Sequence, residues 1–152
     1  MKRKNILSSY SFWLTMAVIL TCTVSYGQDL KLSIVGNEQS VPGDINRKLL
    51  ESVMRGEKLR WEDGASIKIA LMKTNTPVGS NTCKKIYSMS GNELNKYFLA
   101  LVFQGKVKAP AFFNSQGELL DYVVSTPGAI GVIESKNNSQ GKLVLVDGQK
   151  EI

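Results

Sequence analysis

No histidine occurs in the 152 residues. This removes Ser-His-Asp and Cys-His catalysis, takes away the common general base near neutral pH, and leaves most zinc and transition-metal sites short of a ligand. Cysteine is nearly as scarce, with Cys22 close to the N-terminus and Cys83 in the body of the chain. Once Cys22 leaves with an N-terminal leader, Cys83 is alone and no intramolecular disulfide can form. A lone cysteine with no histidine to activate it reads as a small core residue rather than a nucleophile. Nor do the acidic residues form a catalytic pair: Glu62 with Asp63, and Glu118 with Asp121, stand where turns and helix starts account for them. These gaps point to a protein that is not an enzyme and holds neither metal nor cofactor.

A long apolar run is missing as well. The N-terminus places Lys2, Arg3 and Lys4 before an apolar stretch from Phe12 to Cys22 and then small or polar residues, the pattern of a secretory signal peptide. Its apolar part falls short of the roughly 20 residues that a spanning helix needs, so no transmembrane segment is expected in the mature chain. Ile19, Leu20 and Thr21 do not supply the small residue usually found before a lipidated cysteine. Cleavage is expected beside Gly27 or Gln28, giving a signal peptide over 1–27, a domain over 28–152, and a periplasmic or secreted location.

Charge of one sign is not concentrated either. Three of the 19 Lys and Arg residues fall in the leader, which leaves 16 against 13 acidic residues and a net charge of +3. That is no basis for nucleic-acid binding, which calls for a dense basic face. About 125 mature residues suffice for a single core but not for two lobes.

The mature chain alternates element types. DLKLSIV reads as a strand with Leu30, Leu32 and Ile34 on one face. VPGDINRKLLESVMRG reads as a helix from Asp44 to Gly56, with Ile45, Leu49, Leu50, Val53 and Met54 at helical spacing. After the turn EDG, closed by Gly64, SIKIALMK is a second strand. TNTPVGSNT reads as a loop before the short helical piece CKKIYSM. Two capping boxes, Ser90 to Glu93 and Ser115 to Glu118, open the next helices, and Gly105 stops the first. KVKAPAFF between them reads as a loop. STPG cannot continue a helix, because Pro127 lacks an amide donor and Gly128 takes positive φ readily. AIGVIE is then a strand in which Gly131 permits close backbone approach, and GKLVLVDG is the last strand. The sum is an α/β domain with a central sheet covered by helices.

At this point the residues resemble a family. Gly56, Trp61, Asp63 and Gly64, then FQGK and AP in residues 103–110, then STPGAIGVI, are similar in order and spacing to the phosphate-type substrate-binding proteins of ABC importers, in the type 2 periplasmic binding protein superfamily. The resemblance spans nearly all of residues 29–148 and implies a mixed central sheet in a single, shortened lobe. Two-lobed members close on solute in the cleft between lobes; one lobe alone implies weaker binding. In that family a Ser-Gly-Thr turn after a strand-end arginine offers hydroxyls and amides to phosphate. Here Gly79, Ser80, Asn81 and Thr82 stand at that turn and Lys73 at the arginine's place; Asn81 replaces the glycine, and Lys73 lacks the arginine fork. The same residues also read as simple helix capping. Trp61 reads as the anchor of a helix-to-strand corner. Two functions follow: a solute-binding module holding phosphate or a similar oxyanion, or a module that keeps the lobe fold and binds a protein partner.

Mass spectrometry of secreted protein is expected to give a chain beginning near residue 28. A mass that still contains residues 1–20 would contradict the leader assignment.

Overall fold

The computed structural model describes residues 30–137 and 141–152; the segment read as a signal peptide lies outside them. Six strands form one sheet: β1 (Leu32–Gly36), β2 (Asp44–Ile45), β3 (Lys68–Met72), β4 (Ala111–Phe113), β5 (Ala129–Glu134) and β6 (Lys142–Val146). The helices are α1 (Arg47–Met54), α2 (Pro77–Thr82), α3 (Gly91–Phe103) and α4 (Gln116–Ser125), with a π-type turn at Cys83–Tyr87 continuing α2. The strand order is β2-β6-β1-β5-β3-β4. β1 runs antiparallel to both β5 and β6, whereas β3 is parallel to β4 and β5. The sheet is therefore mixed. Among the described residues no helix is long and apolar enough to cross a membrane.

β1 departs from simple alternation. All five of its residues are buried, because antiparallel neighbours occupy both edges and helices cover both faces, as in strands at the centre of a two-sided α/β sheet. Ser33 is tolerated there because its hydroxyl donates to the Lys150 carbonyl at 2.8 Å and lies 2.9 Å from that of Ser135. One face of β5 packs on α4 at Gly131, where an added Cβ would come within 2.7 Å of Leu119 Cδ2 and 3.2 Å of Val123 Cγ2. The opposite face, carrying Ile130 and Val132, is also fully buried; α2 touches β1, β3 and β5.

The first helix begins later than its apolar spacing suggests. Asp44 and Ile45 form a short parallel strand beside β6, and Asn46 is the cap, its side chain accepting from the Leu49 amide at 2.7 Å. Ile45 is buried by sheet pairing and not by the helix. Both capping boxes are present, at Ser90 with Glu93 and at Ser115 with Glu118. KVKAPAFF is not wholly a loop, since Ala111–Phe113 pairs with Ala70–Met72 at the sheet edge.

The α4 to β5 connection is a tight turn in which the Ala129 amide donates to the Thr126 carbonyl at 3.1 Å. Pro127 and Gly128, at φ +79°, occupy its two central positions, the combination a type II turn requires. Proline there has no amide to donate to the carbonyls at the end of α4. The Asn37 side-chain amide does so instead, donating to Val123 and Val124 carbonyls at 3.0 and 2.8 Å. On the other side, Trp61 is buried and its Nε1 donates to the Gly128 carbonyl at 3.0 Å. Gly64, at φ +86°, completes the turn after Trp61, with its amide donating to the Trp61 carbonyl at 3.0 Å.

Gly131→Val is expected to cost about 2 kcal/mol, because the branched side chain must displace Leu119 and Val123. Chemical denaturation measures it. An unchanged midpoint would contradict the seating of α4 on β5.

Candidate anion-binding site

The parallel strands β3 and β4 end on the same edge of the sheet, so the segments that follow them are brought together. The Lys73 amide donates to the Phe113 carbonyl at 3.0 Å, which extends the pairing one residue past β3. The chain then reverses: the Thr76 amide and hydroxyl both donate to the Lys73 carbonyl, at 2.9 and 2.7 Å. The Thr76 hydroxyl in turn accepts the Gly79 amide at 3.0 Å and caps α2, whose first residue is Pro77. Proline suits that place because its φ is already helical and its missing amide would have had no helical partner.

Two further helix starts lie at the same edge. Thr74 sits against Gly91 at the start of α3, and Ser115 opens α4 two residues beyond β4. Helix starts carry exposed amides and a partial positive charge. At α3 and α4 the protein supplies its own anion. Glu93 accepts from the Ser90 amide at 2.7 Å, and Glu118 from those of Asn114 and Ser115 at 3.2 and 3.3 Å. The contacts with Ser90 hold the Glu93 carboxyl below the usual carboxylate range. α2 has no acidic residue in its first turn, and Lys73 and Asn75 beside it are exposed.

The five residues singled out from the sequence divide here. Lys73 is on the open edge. Gly79 is buried, and its place is fixed by backbone contact, since a Cβ would fall on the Lys73 carbonyl. Ser80 is half-buried, and its amide donates to the Thr76 carbonyl at 2.8 Å. Asn81 donates to the Pro77 carbonyl at 2.9 Å, while the buried Thr82 hydroxyl donates to that of Val78 at 2.8 Å. Gly79 to Thr82 are thus the body of α2 and not its opening. Thr74 and Thr76, which the sequence reading passed over, stand at the opening instead; the signal was the Thr-Pro pair, a helix-start combination.

Other groups are remote from this edge or engaged elsewhere. Cys83 is buried, and burial pushes its thiol up. Burial does the same to Tyr87, whose hydroxyl donates to the Met54 carbonyl at 3.0 Å. Trp61, Pro127, Gly128 and Gly131 belong to the turn and packing at the start of β5, away from Lys73. Among the described residues no group of three His, Cys, Asp or Glu could hold a metal ion.

Comparison with solved structures gives the fold a counterpart. PstS from Borrelia burgdorferi superposes with a TM-score of 0.60 at 17% identity, over 79% of this chain and 48% of that one. A protein from Clostridium perfringens, described as a phosphate ABC transporter substrate-binding protein with bound phosphate, gives 0.57 at 14% identity, over 79% and 46%. An ABC-type phosphate transport receptor from Vibrio cholerae gives 0.54 at 16% identity, over 78% and 46%. This chain therefore shares an α/β fold with part of each of these proteins and spans about half their length. No family model matches the sequence, and no curated protein is similar to it.

Gly79→Ala is expected to cost about 2 kcal/mol by forcing α2 off the Lys73 carbonyl. Asn81→Ala, on the exposed side of the same helix, should cost less than about 1 kcal/mol. Equal midpoints for the two variants would contradict the close approach.

Proposed function

We propose that this protein is a periplasmic or secreted solute-binding module of one lobe, and that the turn from Lys73 into α2 binds phosphate or a similar small oxyanion. The observation that carries this reading is the fold shared with PstS and with two proteins described as phosphate-transport proteins, one of them with bound phosphate. Local chemistry supports it. Of the three helix starts at the edge, that of α2 alone lacks its own carboxylate, and Lys73 places a cation beside it.

In this reading the residues divide the work. Lys73 supplies a point charge, and the Thr74, Asn75 and Val78 amides supply donors. Gly79, Ser80, Asn81 and Thr82 hold that backbone in place, with Ser80 the only hydroxyl of the four-residue segment not buried. An anion on an open edge stays largely hydrated, and salt screens its attraction to Lys73. Binding is accordingly weak, about millimolar or 4 kcal/mol, against the tighter grip of a closing cleft. No catalytic step is part of this function.

Titration with inorganic phosphate, followed by amide shifts in a 15N spectrum, tests it. The expected result is saturable shifts across residues 73–82, weakened by sodium chloride and lost in Lys73→Ala. Ser80→Ala should weaken binding less, and Thr82→Ala should lower stability without changing the shift pattern. No shift in this segment at about 50 mM phosphate, far above the expected millimolar constant, would overturn the proposal.

A further inference from the structure

A second region of unsatisfied charge lies at the other end of β3. Two adjoining depressions, of about 260 and 220 Å³, share Leu59, Ile67 and Lys108 and form one groove between the Lys58–Arg60 segment and the loop at residues 105–109. Its rim carries Lys58, Arg60, Lys68, Lys106 and Lys108. Among the described residues the ion pairs join Lys31 to Glu151 and Arg47 to Glu51, so none of the five rim cations is neutralised by a carboxylate in contact. Arg60 is held in place by donating to the Gly64 carbonyl at 2.8 Å. Its apolar lining is the half-buried Ile67, Ile69, Val107 and Tyr122, with Leu59, 51% exposed, beside them.

The groove is also a gap in the sheet edge. β4 joins β3 only at Ala70–Met72, while the Ile67 amide donates to the Leu59 carbonyl at 2.9 Å. Lys68 and Ile69 lie between these two pairings. The Lys68 amide points to Gly128 on the far side, so the peptide groups of Ile69 turn the other way; the Ala70 to Ala111 register gives the Ile69 carbonyl to β4 and leaves its amide facing the groove. One free backbone amide, apolar side chains and a cluster of cations are together complementary to a short extended chain that alternates apolar and acidic side chains.

We propose that this groove is a docking site for an extended acidic segment of a partner protein, its apolar side chains against Ile67 and Ile69 and its carboxylates among the five cations. An inorganic anion would leave the apolar lining unused, and a lipid surface could not pair with the recessed edge of β3. The site is separate from the Lys73 turn, since Ile69 and Lys73 are four residues apart along the strand, about 13 Å at strand rise.

The test uses the purified protein and a capped hexapeptide of alternating Glu and Val, read by 15N amide shifts. Shifts are expected at residues 58–60, 66–69 and 105–109. A Lys106→Glu, Lys108→Glu double variant, exposed and thus expected to fold normally, should weaken binding about tenfold or more; unchanged thermal unfolding checks the fold. A peptide of alternating Glu and Ser has the same charge and should bind at least about fivefold more weakly, having no apolar side chains to bury. Equal affinity for the Glu-Ser peptide, or the absence of shifts at these residues, would overturn the proposal. So would binding to phosphatidylglycerol vesicles, lost in the double variant, where the peptide gives no shift. Phosphate shifts at 73–82 report on the other site only, so the two readings fail separately.

Discussion

The carbonyl of Gly128 accepts from Trp61 Nε1 and from the Lys68 amide, and much of the fold depends on this point. It ties the corner after α1 to the first residue of β3 and to the turn that starts β5. From the other side Asn37, at the end of β1, holds the last carbonyls of α4. Three strands and one helix are thereby referred to a four-residue turn. The polar groups concerned are buried, and leaving one unpaired would cost about 1 to 3 kcal/mol each. Trp61 adds the burial of a large apolar ring to its hydrogen bond, so position and stability come from the same side chain.

That tie also explains how a chain about half as long as its structural neighbours can stand as a sheet with a full core. β1 and β5 are central and buried on both faces, so the apolar material sits in the middle of the sheet. The edges are short: β2 has two residues and β4 three. Short edges give another chain little backbone on which to align, which limits edge-to-edge association. The Ile69 amide beside β4 is the exception, and lysines of the kind that discourage edge pairing surround it.

Local signals were legible in the sequence, and contacts across it were not. Ser90 with Glu93 and Ser115 with Glu118 declare helix starts because both partners lie within one turn. Gly56 and Gly105 declare helix ends because positive φ suits glycine, and both adopt it. β2 and β4 are too short to show a period of two, so the sequence offers nothing that separates them from loop. Asp44 and Asn46 are both good caps, and pairing with β6, a hundred residues away, decides between them. The candidate site was misaligned for a related reason: GSNT looks like a helix opening, but Thr76 and Pro77 open the helix first. That Gly79 must be glycine depends on where Lys73 folds back, a tertiary contact without a sequence signature.

The two ends of β3 place different demands on a ligand. At the Lys73 edge one cation and one helix start face open water, each worth about 1 kcal/mol or less when exposed and screened by salt. Together they give at best weak binding, and with ordinary association rates a millimolar complex lives for only about a tenth of a millisecond. A second lobe would exclude water and strengthen every such interaction, and this chain has none among its described residues. At the groove, five cations act beside an apolar lining, so a ligand gains from burial as well as from charge. Of the two proposed complexes the one at the groove would be the longer-lived, because burial adds to charge there.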